Sequence, residues 1–330
     1  MTRRRRPIAI ALIGLAACKD PAPAPTPGSA AAPGSAAAPA PRMVQVAAPA
    51  QLAMAEPQIE LPRLEAFELL APGTGARSAL RYHLAAGARS FVRETELSER
   101  HLDDHGELTR PLQVPAIHEG FAVTVAADAP GRLALRPLPG EARAASPEAD
   151  AMLEAWRTLL QDRRITVTVD DRGQLGAARF NDDPDNRHSE PARLELVERL
   201  LAATVPLPAE PVGVGARWRV VTIFKQGPAA AKQTATYTLV ARDAVWKIHV
   251  KLQRVAEPQR LATPGLPAGA TADLVAMFRA LEGDVQVDPT LPLIAGGTLT
   301  SEARMHLQVT LPGQPATERL FEGTGRVTFE

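Results

Sequence analysis

Strict period-two alternation is the feature that most limits what this chain can fold into. Between Val245 and Gln253, Trp246, Ile248, Val250 and Leu252 alternate with Lys247, His249, Lys251 and Gln253. Successive side chains of an extended strand point to opposite faces, so one face here is apolar and the other wet. Half-buried strands of this kind belong to antiparallel sheets. The preceding QTATYTLV reads as a hairpin partner, joined through Ala241-Arg242-Asp243-Ala244. Met305, Leu307, Val309 and Leu311 alternate with His306, Gln308 and Thr310. Leu80, Tyr82 and Leu84 alternate with Arg81 and His83, and Phe121, Val123 and Val125 flank Thr124. Ile165, Val167 and Val169 alternate with Thr166 and Thr168, then meet the turn Asp170-Asp171-Arg172-Gly173.

Three helices are expected to interrupt the strands. Ser146-Pro147 is an N-cap and first-turn pair ahead of a stripe of Met152, Leu153, Trp156, Leu159 and Leu160. Ser189, Glu190 and Pro191 open a second, with Leu194, Val197, Leu200 and Leu201 on one face before Pro206 stops it. Thr271 opens a third, carrying Leu274, Val275, Met277, Phe278 and Leu281. The expected class is therefore α+β and β-rich: curved antiparallel sheets packed on a few amphipathic helices. Two similar halves, 63–205 and 206–330, are suggested by a faint repeat. Gly75-Ala76-Arg77 opens GARSALRYHLAAGARSFVRETEL, and Gly215-Ala216-Arg217 opens GARWRVVTIFKQGPAAAKQTATYTL. Later, RRITVTVDDRG in the first half is echoed by EGDVQVDPTLP in the second.

The N-terminus sets an address. Arg3 to Arg6 precede an apolar run from Ile8 to Ala17, which ends in Leu15-Ala16-Ala17 before Cys18. This is the order of a secretory signal peptide, residues 1–17, and the run has about half the ~20 residues a membrane-spanning helix needs. Leu15-Ala16-Ala17-Cys18 closely resembles the lipobox of bacterial lipoproteins. That resemblance implies a diacylglycerol thioether on Cys18, with palmitate-type acyl chains holding the protein on a membrane. Lys19 follows the cysteine, where the enteric inner-membrane retention signal is Asp, so the resemblance implies the outer membrane, facing the periplasm or the surface.

Two consequences follow for chemistry. Cys18 is the single cysteine, so lipidation leaves no thiol for disulfides, zinc or nucleophilic catalysis. Removing the leader's four arginines from a balanced 37 against 37 leaves 33 basic and 37 acidic side chains. A mildly acidic chain without a Lys/Arg cluster has no footprint for nucleic acid. From Cys18 to Pro62, proline recurs, GSAAAP appears twice and charge is scarce, so residues 18–62 read as a disordered tether with polyproline-II character.

The remainder, Leu64 to Glu330, resembles several uncharacterised bacterial lipoprotein families in the phrase VGVGARWRV after a proline-rich approach. It also resembles them in GDVQVDPTLPLIAGGTLT. Those families carry no assigned activity. Carriers of the Lol type share the idea of a curved sheet on helices around an apolar cavity, a likeness of fold alone.

Candidate chemistry is sparse. His101 and His105 lie four apart with Asp103 and Asp104 between, and on a helix such a pair could share a metal, with His118 thirteen residues on. Strand-like flanks and Gly106 make the same run a solvated turn. Asn181-Asp182-Asp183-Pro184-Asp185-Asn186 offers oxygens that suit Ca²⁺ but lacks the glycine and distal glutamate of an EF-hand. His83, His249 and His306 fall on polar strand faces, and Trp218 and Trp246 on apolar ones. There is no G-x-S-x-G, H-E-x-x-H, Walker loop or dinucleotide fingerprint. The expectation is a membrane-anchored, non-catalytic binding or assembly module without cofactor, for an apolar ligand or an envelope partner. The alternative is a metal-assisted periplasmic hydrolase built on His101 and His105.

Overall fold

The computed structural model describes residues 58–59, 61–102, 107–110, 112–125, 131–144, 154, 157–158, 163–181, 190–224, 229–261 and 268–330. Cys18, the leader and most of the tether lie outside them, as do His105, Asp182 to Asn186 and most of the first expected helix. Of that helix, Glu154, Arg157 and Thr158 are described and are helical.

The alternating segments form a long antiparallel ladder. Its strands are β1 (Gln58–Ile59), β2 (Arg63–Ala71), β4 (Gly87–His101), β5 (Leu112–Val125), β6 (Arg132–Ala144), β7 (Ile165–Val169) and β8 (Leu175–Phe180). They continue as β10 (Arg217–Phe224), β11 (Ala231–Arg242), β12 (Trp246–Ala256), β13 (Gln259–Arg260), β14 (Thr271–Val287), β15 (Ile294–Thr310) and β16 (Thr317–Phe329). The spatial order is β1-β8-β7-β6-β5-β4-β16-β15-β14-β12-β11-β10-β2, with β13 paired to β14. A small second sheet pairs β3 (Thr74–Ser78) with β9 (Val212–Val214). Every pairing is antiparallel.

The ladder is open, yet its ends are neighbours along the chain. β1 and β2 are the two edges, and only residues 60–62 separate them. Four Cα–Cα steps of 3.8 Å hold Ile59 and Arg63 within about 15 Å. Thirteen flat strands at ~4.8 Å spacing would put the edges about 58 Å apart. The sheet therefore curls until its edges approach. Its concave face holds most of the core: Phe121, Val123, Ile165, Trp218, Ile248 and Val285, drawn from both ends of the ladder, share one apolar cluster.

Among the described residues there is one complete helix, α1 (Glu190–Ala203). It begins at Glu190, with Ser189 of the expected signal outside the described residues, and lays Leu196, Val197, Leu200 and Ala203 into that cluster. No described helix is long and apolar enough to cross a membrane. The expected third helix is instead the seventeen-residue strand β14, so among the described residues the few expected helices reduce to one complete helix. The cause is a β-bulge. Leu274 pairs with Leu307 and Ala276 with His306, leaving Val275 as an extra residue. Before the bulge Ala272 and Leu274 are buried; beyond it Leu281, Val285 and Val287 are. A bulge shifts the alternation by one position, so a strand acquires the three-and-four spacing that otherwise marks a helix.

Leu80, Tyr82 and Leu84 need a second correction. Leu80 and Tyr82 are buried as their alternation implies, but residues 79–86 form no ladder. They make a strap. Tyr82 N–H donates to Asp171 O and His83 N–H to Pro289 O, both at 2.7 Å. The strap thus joins the turn after β7 to the turn after β14, at equivalent places in VTVDD and VQVDP. In both turns the first aspartate's Oδ1 accepts the backbone N–H two residues on. The other echoed phrase also meets itself: Thr74 pairs with Val214, so GTGAR lies across GVGAR. A Cβ on Gly73 would sit inside contact distance of Gly213 O, and one on Gly213 inside that of Thr74 O. Only glycine permits that approach.

Candidate functional site

One end of the concave face is sealed by aromatic side chains. Tyr82 is buried, donates its hydroxyl to Val205 O at 2.8 Å and lies 5.7 Å from the Trp246 ring. Trp218 stacks on Tyr237 at 5.6 Å and donates Nε1–H to Pro206 O. Trp218 and Trp246 are core residues, as their alternation implies. Burial pushes both phenols upward in pKa, Tyr82 further through its neighbour Tyr237. A neutral phenol belongs in so apolar a place; a phenolate does not.

Above that seal, charges are clamped inside the sheet. Glu119 on β5 and Arg199 on α1 are each 4 % exposed and form an ion pair. Arg93 on β4 reaches the same carboxylate at 3.0 Å, and the Arg199 guanidinium lies over the Phe121 ring. The adjacent helix residue, Glu198, takes Arg254 of β12 at 2.8 Å, while Arg254 also donates to Gln233 and covers Phe224. Two consecutive helix residues, one acidic and one basic, therefore tie α1 to opposite regions of the ladder. Buried ion pairs specify geometry more than they stabilise, but breaking one leaves a charge stranded.

Register carries inward side chains straight across the strands. Val250, Gly283, Leu299, Val327 and Thr95 form one such row. The next is Leu252, Leu281, Ser301 and Gly325; then come Arg254, Arg279, Ala303 and Gly323. The last row is Ala256, Met277, Met305 and Phe321. Ser301, Ala303, Gly323 and Gly325 occupy a two-by-two block of adjacent positions without bulk, and all four are half-buried. Beyond them lies a second apolar cluster around Phe224, Leu274 and Leu307, against which Met277, Met305 and Phe321 are only partly buried. Leu201 of α1 touches both clusters. Thr95 is 8 % exposed, and among the described residues its Oγ1 has no hydrogen-bond partner. Leaving a buried hydroxyl unpaired costs about 1–3 kcal/mol.

The residues singled out by spacing do not converge. His101 ends β4 opposite Phe321, whereas His118 lies opposite Glu94, seven positions and about 23 Å back along that strand. His118 pairs with Glu94 at 3.1 Å. His249 lies between Asp284 and Glu282 on the outer face, and His306 meets Glu318. Glu282 is held below the usual carboxylate range, chiefly by a Lys251 hydrogen bond. His83 is exposed, and Asn181 uses its Oδ1 to accept Arg164 N–H at 2.7 Å. Among the described residues no group of three His, Cys, Asp or Glu is placed to hold a metal ion.

Sequence reasoning passed over Glu119, Arg199 and Arg254, although a signal was present. Glu119 continues the inward phase of Phe121, Val123 and Val125, and Arg254 that of Val250 and Leu252. A charge in step with an apolar face marks a buried pair. Comparison of the chain with protein-family models and with curated proteins gives no match.

Proposed function

We propose that this protein is a bacterial lipoprotein of the cell envelope and a non-catalytic binding module. Residues 1–17 are its signal peptide, Cys18 its acylated anchor and residues 18–62 its tether. The anchor faces the periplasm from the outer membrane, and the folded part, two halves of one plan, holds an apolar ligand on its concave face. The observation that carries this reading is the asymmetry of that face. One end is sealed by Tyr82, Trp218 and Trp246, while at the other Met277, Met305 and Phe321 remain partly exposed beside four small residues. Concave, mostly apolar surfaces with a few polar groups are where proteins take small ligands, and methionine adapts to varied shapes.

Two measurements test it. Radiolabelled palmitate fed to cells should enter the full chain but not its Cys18→Ala variant; equal labelling would end the anchor assignment. Solvent extraction of the purified chain followed by mass spectrometry should yield an apolar compound at a reproducible ratio. A chain that carries none, and that fails to enhance a hydrophobic fluorophore, would overturn the binding role.

A further inference from the structure

Resting on that binding role, we infer that the ligand is a single aliphatic chain ending in an uncharged hydrogen-bonding oxygen. Its tail lies over the block of Ser301, Ala303, Gly323 and Gly325, and its oxygen meets Thr95. Three observations place it so. Thr95 faces the same side as Arg93, whose partner Glu119 is gripped by α1, so its side chain belongs to the concave face. It stands directly across from Val327, and the next inward position on β16 is Gly325, then Gly323. Its Oγ1 is buried and lacks a partner among the described residues, while the small-residue block beside it is half-buried.

The length of the tail follows from the strand. From Val327, level with Thr95, to Phe321 is six residues, or about 20 Å, before the row of Met277, Met305 and Phe321 opens to solvent. The head is uncharged because the neighbouring ions already serve one another: the Glu119 carboxylate accepts Arg93 and Arg199. A hydroxyl is suited to such an oxygen: it can donate to an alcohol, ester or amide oxygen, and accept from an alcohol as well.

The test uses the full-length chain carrying Cys18→Ala, which dispenses with detergent. Primary alcohols from hexanol to octadecanol, and decyl chloride, displace bound anilinonaphthalenesulfonate. Affinity should rise about fourfold per added methylene until the chain reaches Phe321, then level off. Decanol should bind about fivefold tighter than decyl chloride. Thr95→Val should erase that preference and leave the methylene slope intact, while Thr95→Ser keeps both. Ala303→Leu should flatten the series by filling the block. A preference for decanol that survives Thr95→Val, or a slope that survives Ala303→Leu, refutes this placement but leaves the binding role standing. Failure of both dye and alcohols to bind refutes the binding role itself.

Discussion

The buried phenols should make the protein less stable at alkaline pH. The chain has two tyrosines, Tyr82 and Tyr237, and both are pushed well above the ordinary value of 10 by burial. Below pH 10 both are protonated, folded or unfolded, and their contribution is fully present. Above pH 10 only the unfolded chain releases these protons, so stability is lost as pH rises towards the folded-state values. At pH 11 the loss is about 1.4 kcal/mol for each tyrosine, and about 2.8 kcal/mol for the pair. Folded domains have only about 5–15 kcal/mol to spare. Near-ultraviolet absorbance of tyrosinate reads these two groups alone, and circular dichroism reads the strands. The phenolate signal should appear together with the loss of strand signal. Tyr82→Phe should halve the dependence of the urea midpoint on pH above 10. Phenolate appearing with a midpoint near 10 in a chain whose strands are intact would refute the burial argument.

Other consequences are as specific. Glu119→Gln strands two guanidiniums around a neutral amide and should cost about 3–5 kcal/mol in urea denaturation, far more than an exposed ion pair would. Gly75→Ala at φ +73 meets open space and should cost about 1–2 kcal/mol, whereas Gly73→Ala at φ +78 also strikes Gly213 O and should cost more. Equal midpoints for the two variants would remove the GTGAR–GVGAR approach as a reason for glycine. Deleting Val275 removes a bulge and should leave a folded chain, while deleting Ala280 turns every later residue of β14 to the wrong face and should abolish folding. Circular dichroism of the two deletions decides it.

What the sequence discloses follows how local each feature is. The β11–β12 hairpin is written in local alternation and is present, but a bulge at Val240 carries Ala241 and Arg242 into β11, so the turn is residues 243–245 and not the expected Ala241-Arg242-Asp243-Ala244. α1 is present, with Val197 and Leu200 of its expected stripe buried. β14 was hidden because one extra residue imitates helical spacing, and propensity alone cannot tell a bulged strand from a helix. The strap at 79–86 was hidden differently: its alternation reflects burial, but its hydrogen bonds go to residues some 90 and 206 positions away, at Asp171 and Pro289. The inward ions were visible only as charges in step with an apolar face. The small-residue block needs the register of two strands, because Ser301, Ala303, Gly323 and Gly325 become neighbours only through the β15–β16 ladder.

The position of the last strand has a consequence for when the molecule can exist at all. β16, residues 317–329, lies between β4 and β15, more than 200 residues of chain away from the former. The seam joining the early strands to the late ones thus forms only once residues 317–329 have been made. Contacts this distant in sequence form slowly. Until Thr317 to Phe329 arrive, β4 and β15 both present bare edges, and the curl cannot be completed. A chain so arranged stays open at this seam for as long as β16 is missing, the condition in which a polypeptide can still be threaded through a narrow pore.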